Sequence, residues 1–318
     1  MREQLQDVRH HPRWGAPFGL AERPLATAVL GAMCIASSGV LVRLSDASPV
    51  TVALYRCAYA LPFLGAITYL EERRLGPLEP RSRRLAWIAG IFFALDLIFW
   101  HNAIEAVGAG LATVLGNLQV LFVGFAAWAV LGERPDRALF AAIPVVLTGV
   151  VLISGVVGQD AYGENPALGV VYGGLTSLAY AAFILVLREG SRDLRRAAGP
   201  LFHATLSSAV VAAAYGAIAG GVAWAPVWPG HGWLVTLALS AQVAGWLLIS
   251  RSLPRLPAAV TSIVLLLQPV GAMAIAAAAL GERPAFAQLV GAALILSGVV
   301  IAAAHSRARR LQPEGPLV

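Results

Sequence analysis

Apolar residues fall into ten long runs, at 25–43, 49–70, 85–105, 107–131, 138–157, 167–187, 200–222, 231–250, 257–280 and 286–304, with short polar stretches between them. Each run is close to the roughly 20 residues that a helix needs to cross the hydrocarbon core of a bilayer. The connecting stretches are too short to hold a water-soluble domain. The pattern predicts an all-α integral membrane protein with ten transmembrane helices. The first 22 residues are polar and basic. The first apolar run carries no clear cleavage site, which predicts a retained helix rather than a removed signal peptide.

A second pattern lies over the first. The pentapeptide Leu-Gly-Glu-Arg-Pro occurs at 131–135 and again at 280–284, and its surroundings match as well. Gln119 and Gln268, Glu133 and Glu282, and Gly149 and Gly298 are each 149 residues apart. The chain is a tandem duplication, and repeats decide architecture before other signals do. Each copy holds five spans, an odd number, so the second copy enters the membrane upside down. The expected organisation is a cytoplasmic N-terminal segment (1–24), a first repeat (25–157), an inverted second repeat (158–304) and a cytoplasmic tail (305–318). Inverted repeats place one central site where it can face either side in turn.

Composition agrees and adds exclusions. Of 318 residues, 58% are hydrophobic and only 13% charged, against roughly 25% charged in soluble proteins. The 23 basic residues are all arginine. Without lysine there is neither a Walker A phosphate loop nor Schiff-base chemistry, so ATP-driven pumping within this chain is not expected. With the N-terminus inside, twenty arginines fall on the cytoplasmic side, only Arg43 and Arg283 fall outside, and Arg56 lies within the second span. This bias sets topology with both termini cytoplasmic. The net charge of +6 then meets anionic lipid rather than nucleic acid. Trp224, Trp228 and Trp233 cluster at one expected outer edge. Cys34, Cys57 and His101 are isolated, with neither a metal-ligand cluster nor paired carboxylates, so no cofactor, metal or enzymatic activity is expected.

Charges within spans carry the candidate chemistry, because each costs about 2.5–3.5 kcal/mol at mid-bilayer on insertion scales. Arg56 in the second span and Asp96 in the third lie roughly 10 and 13 Å from the same edge at 1.5 Å per residue. A direct Arg56–Asp96 pair is the expectation. It either locks two helices together or makes Asp96 a proton or substrate-amine site that the arginine tunes. Trp100 shares a face with Asp96, which suits an organic cation or an aromatic solute. His101 and Glu105, four apart, are expected to pair at the edge.

Pro269 has no N–H to give the Leu265 carbonyl and is expected to bend the ninth span. Thr261, Leu265 and Gln268 line one face there. The first repeat has Val120 where the second has Pro269, so it lacks that break; it carries Thr113, Asn117 and Gln119. On a continuous helix Asn117 and Gln119 are about 200° apart and only one faces a given cavity. Glu133 and Glu282 precede Arg-Pro at hairpin corners and are expected to favour the positive end of the helix that follows. Gly149, Gly155, Gly291 and Gly298 are expected to allow close helix contact.

The segments 48–60 (SPVTVALYRCAYA), 96–122 (DLIFWHNAIEAVGAGLATVLGNLQVLF) and 265–270 (LLLQPV), with the repeated LGERP, resemble the drug/metabolite transporter superfamily, of the ten-helix EamA type. The resemblance runs from about residue 25 to 304. It implies two inverted five-helix repeats around a central cavity that moves small metabolites without ATP; amino acids and related compounds are among such solutes. The chain departs from the usual pattern at Val120 and at 34–39 (CIASSG), where the first helix often carries a tryptophan.

The reading is therefore a multi-pass inner-membrane secondary transporter of a small polar or aromatic metabolite, working outward by alternating access. The alternative is a lipid scramblase or a non-transporting membrane scaffold. Candidate substrate-binding residues are Ser37, Ser38, Arg56, Asp96, Trp100, Asn117, Tyr180, Gln242, Trp246, Thr261 and Gln268. Asp96 is the candidate coupling residue. Expected partners are a small-molecule solute, membrane lipid and a proton as candidate coupling ion, with no nucleic acid; oligomeric state is left open.

Overall fold

The computed structural model describes residues 24–119, 121–122, 137–154, 161–191, 193, 195–252 and 258–308. The described elements are helical. They are α1 (Pro24–Ala36), α2 (Ser38–Ser45), α3 (Pro49–Leu75), α4 (Pro80–Val107), α5 (Ala109–Gly116), α6 (Arg137–Ile153), α7 (Pro166–Gly190), α8 (Ala198–Ala219), α9 (Gly230–Leu237), a π-helical segment (Ala238–Gly245), α10 (Trp246–Ser252), α11 (Ala258–Leu280) and α12 (Phe286–Ala308).

Local sequence explains several starts. Ser48 precedes Pro49 and its hydroxyl accepts from the Thr51 N–H at 3.3 Å. Asn165 precedes Pro166 and its side-chain oxygen accepts from the Leu168 N–H at 3.0 Å. Proline at the first helical position fixes φ without wasting a donor, and the preceding polar side chain satisfies one of the free N–H groups.

Among the described residues, six helical stretches are long and apolar enough to cross a membrane: Pro24–Ser45, α3, α4, α7, α8 and Gly230–Ile249. Shorter apolar helices lie at Phe140–Ile153, Leu267–Leu280 and Phe286–Ile301, while the fourth expected span continues into residues that are not described. Large apolar side chains face outward along the bundle, among them Phe63, Leu147, Val171 and Ile218. A belt of this kind fits hydrocarbon and not water.

Packing follows the duplication. α3 lies against α8, α5 against α11, and α6 against α12, so these helices meet their own counterparts in the other repeat. The α4–α7 contact is matched by packing of α1 and α2 against the Gly230–Ser252 stretch. This is the contact pattern of two repeats related by a two-fold. Small residues make the self-meetings close. A Cβ added at Gly149 would lie 2.6 Å from the Gly291 carbonyl oxygen, and one at Gly291 would lie 2.6 Å from that of Gly149. The expected glycine contact is therefore in place for this pair; Gly155 lies outside the described residues.

Hydrogen bonds sort the helix ends into two groups. At one end, His101 Nδ1 lies 3.1 Å from the Pro49 carbonyl oxygen, and the Asn165 N–H donates to Ala106 at 3.0 Å. His101 is thus buried against backbone while Glu105 is exposed. The expected His101–Glu105 pair is corrected: the imidazole turns inward to the start of α3. At the other end, the Glu71 carboxylate accepts from the Ala197, Ala198 and Gly199 N–H groups at 3.0–3.2 Å, and Arg196 donates to the Gly76 carbonyl at 2.8 Å. Two hydrogen bonds from Arg195 hold the neighbouring Asp193 carboxyl down at about 2.

The repeated glutamate works across the repeats. Glu282 is buried, and its carboxylate accepts from the Ala109 N–H at 2.8 Å and the Gly110 N–H at 3.2 Å. It caps α5 in the first repeat, not α12 of its own hairpin, which corrects the expected partner. The structural role is kept. Glu133 lies outside the described residues.

Candidate functional site

Three helical stretches are irregular where they approach one cavity, and another carries a proline there. The first breaks at Ser37, between α1 and α2, where the Ser37 hydroxyl donates back to the Cys34 carbonyl at 2.8 Å. The fourth breaks at 117–118, where the Asn117 and Leu118 N–H groups bond three residues back, to Val114 and Leu115, each at 3.0 Å. The eighth runs as a π-helix over Ala238–Gly245. The ninth, α11, contains Pro269. Irregular backbone at membrane depth survives where it is buried in protein or lines a cavity, and π segments recur at functional sites.

The cavity has a volume of about 100 Å³. Its lining draws on each of the four: Ile35 and Ser38 beside the first break, Gly116, Asn117 and Gln119 at the second, Trp246 just after the π segment, and Gln268 just before Pro269. Phe93, Asp96, Leu97 and Trp100 come from α4, Arg56 from α3, and Thr176 and Tyr180 from α7. One wall is aromatic. Trp246 meets Tyr180 and Phe93 edge-on at centroid distances of 6.4 and 6.3 Å, and Phe183 stacks behind Phe93 at 4.6 Å.

The charged pair differs from the expectation. Arg56 and Asp96 are both buried and both line the cavity, yet no ion pair joins them among the described residues. Arg56 Nε has no hydrogen-bond partner within the protein. Similar expected depth did not bring the two side chains into direct contact: both line the cavity without an ion pair.

The first repeat is also interrupted. The proline-bearing α11 runs as one helix through Pro269, whereas the first repeat breaks at 117–118 without a proline. The Val120 half lacks the proline, as expected, but carries a break of its own. With helical phase lost there, Asn117 and Gln119 both face the cavity, where a continuous helix would have admitted only one.

Ser177 on α7 explains how the break is held. Its hydroxyl lies 2.8 Å from the Leu115 carbonyl oxygen and 3.2 Å from that of Gly116, and also reaches its own Gly173 carbonyl at 2.9 Å. Its single proton is shared among these oxygens, and the Leu115 carbonyl also accepts from the Leu118 N–H, so Ser177 reinforces the end of α5. Ser177→Ala is expected to cost about 0.5–1.5 kcal/mol by removing one buried hydrogen bond. Earlier thermal denaturation of the detergent-solubilised protein reads this, and an unchanged melting curve means the break stands unaided.

Of the expected site residues, Ser38, Arg56, Asp96, Trp100, Asn117, Tyr180, Trp246 and Gln268 line the cavity. Ser37 does not; it sits at the kink with its hydroxyl on Cys34. Gln242 is fully buried in the π segment and donates to the Thr205 hydroxyl at 3.1 Å, away from the lining. The side chain of Thr261 lies outside the described residues. The lining also takes in Ile35, Phe93, Leu97, Thr113, Gly116, Gln119 and Thr176. Helical spacing could have found two of these: Phe93 is one turn before Asp96 and Leu97, and Thr176 one turn before Tyr180.

An all-helical membrane bundle of two repeats, with a small cavity among its helices lined by charged, polar and aromatic side chains, has the build of a multi-pass solute carrier. The EamA-like transporter family model matches residues 23–155 and again 167–304, and the chain belongs to that family. A solved crystal structure of a protein is similar to it in fold, covering 93% of this chain and 99% of its own at 19% identity, with a TM-score of 0.58. No curated protein matches the sequence.

Proposed function

We propose that the protein is a secondary transporter that carries a small zwitterionic metabolite, an amino acid or related compound, outward across the inner membrane. The observation that carries this reading is the unpaired placement of Arg56 and Asp96 on one cavity. Two buried charges that make no direct ion pair are costly in a membrane. A solute with a carboxylate and an ammonium group offers each its complement, and arginine suits a carboxylate through paired hydrogen bonds. The aromatic wall of Phe93, Trp100, Tyr180 and Trp246 supports an apolar body beside the charges and a cation–π contact for the ammonium. A cavity of about 100 Å³ is small beside the ~300–1,000 Å³ of drug-sized sites, which supports a compact solute.

Transport follows by alternating access. Two inverted five-helix repeats, 25–157 and 158–304, rock about the central chamber, with ten spans and both termini cytoplasmic. The two-fold contact pattern and the irregular helices around the chamber support this motion. Asp96 carries the coupling proton and exchanges it for the solute ammonium.

Purified protein in liposomes with an imposed pH gradient tests the coupling. Asp96→Asn is expected to abolish gradient-driven accumulation of a radiolabelled amino-acid mixture. Accumulation that keeps its full dependence on the gradient removes Asp96 from coupling. Metabolite profiling of overexpressing and deleted cells names the solute and its direction together.

A further inference from the structure

Within the chamber, three polar side chains are already tied to backbone. Ser38 donates to Ile35 at 2.6 Å, Thr113 to Ala109 at 2.9 Å and Asn117 to Thr113 at 2.8 Å. Three lining residues keep a buried polar atom without a partner among the described residues: Arg56 Nε, Gln119 Oε1 and Thr176 Oγ1. Other unpartnered atoms, on Thr68, His101, His203 and Gln242, belong to residues that do not line the cavity.

Thr176 and Gln119 lie on neighbouring elements. A Cβ added at Gly116 would sit 3.8 Å from Thr176 Cγ2, so Thr176 stands over the break that carries Gln119. Thr176 is 3% exposed, and Tyr180 of the aromatic wall is one turn along the same helix. The amide oxygen only accepts a hydrogen bond, whereas the hydroxyl both donates and accepts. Together they match a group that does both.

We infer that Thr176 and Gln119 form a side-chain subsite that selects solutes bearing a hydroxyl or primary amide over their apolar isosteres. This rests on the amino-acid reading, in which Arg56 and Asp96 hold the charged head group and leave these two atoms for the side chain. A site built around hydrogen bonds discriminates strongly, because the isostere leaves its polar atoms unpaired, whereas a methyl-sized difference in an apolar pocket is read weakly.

Two isosteric pairs test this by titration calorimetry on protein in nanodiscs: L-threonine with L-valine, and L-asparagine with L-leucine. The wild type is expected to bind the polar member of each pair at least about tenfold more tightly. Thr176→Val and Gln119→Met should each shrink that preference, and the double variant should bring it within about twofold. Thr176→Val removes an unpartnered hydroxyl at nearly constant shape, so its ligand-free melting temperature should hold or rise. Should one variant misfold, the other carries the test alone. Equal binding within the wild-type pairs, or an unchanged preference in the folded variants, overturns the subsite and leaves the amino-acid reading standing. Failure of all four amino acids to bind overturns both.

Discussion

Arg56→Gln is expected to lower transport by about 10- to 100-fold, the loss that follows from a hydrogen bond to a charged partner worth about 1.5–3 kcal/mol. Arg56 as a residue is 4% exposed, lines the cavity and keeps Nε unpartnered. Its remaining role is then toward what enters the chamber. The stability prediction separates this from a structural lock. A locked Arg56–Asp96 pair would make removal of one partner strongly destabilising. With no ion pair between them among the described residues, Arg56→Gln alone loses no pair and sheds one insertion cost. It should melt at or above the wild-type temperature by intrinsic fluorescence despite its lowered transport. Transport within twofold of wild type for Arg56→Gln would take the arginine out of the site.

The duplication and the helical class were legible because both are written in many residues at once. Ten apolar runs and a 149-residue offset survive individual deviations. The site was legible where a charge or an indole sits alone in an apolar run, as at Arg56, Asp96 and Trp246. What escaped depends on relations between helices. Expected depth along a span does not fix side-chain contact, so Arg56 and Asp96, placed at similar depth by the sequence, form no direct ion pair among the described residues. Phase along a helix presumes that the helix continues. The break at 117–118 has no proline to announce it and is held by Ser177 from another helix, so Gln119 was set against Asn117 when both line the cavity. Thr176 and Ser177 are ordinary polar residues in an apolar run, and only the crossing with α5 gives them separate tasks.

Glu282→Ala is expected to cause the largest loss of stability among substitutions outside the chamber, about 2–6 kcal/mol, the cost of leaving two buried N–H donors unsatisfied at about 1–3 kcal/mol each. α5 begins immediately after Gly108, whose φ of +88° turns the chain from α4 into α5 without a gap. The N–H groups of Ala109 and Gly110 therefore open in the protein interior, and the Glu282 carboxylate receives both. A carboxylate at a helix N-terminus also answers the positive end of the helix dipole. Alanine leaves two buried donors unsatisfied at the first turn of the helix whose last residues, Gly116 and the 117–118 break, shape the cavity. Loss of this cap should reach the chamber as well, because α5 has only eight residues between cap and break. Glu282→Gln keeps one acceptor and should recover part of the melting temperature, whereas Glu282→Lys, a cation at the same helix end, should fall below alanine. If all three variants melt with the wild type, the cross-repeat cap carries no stability.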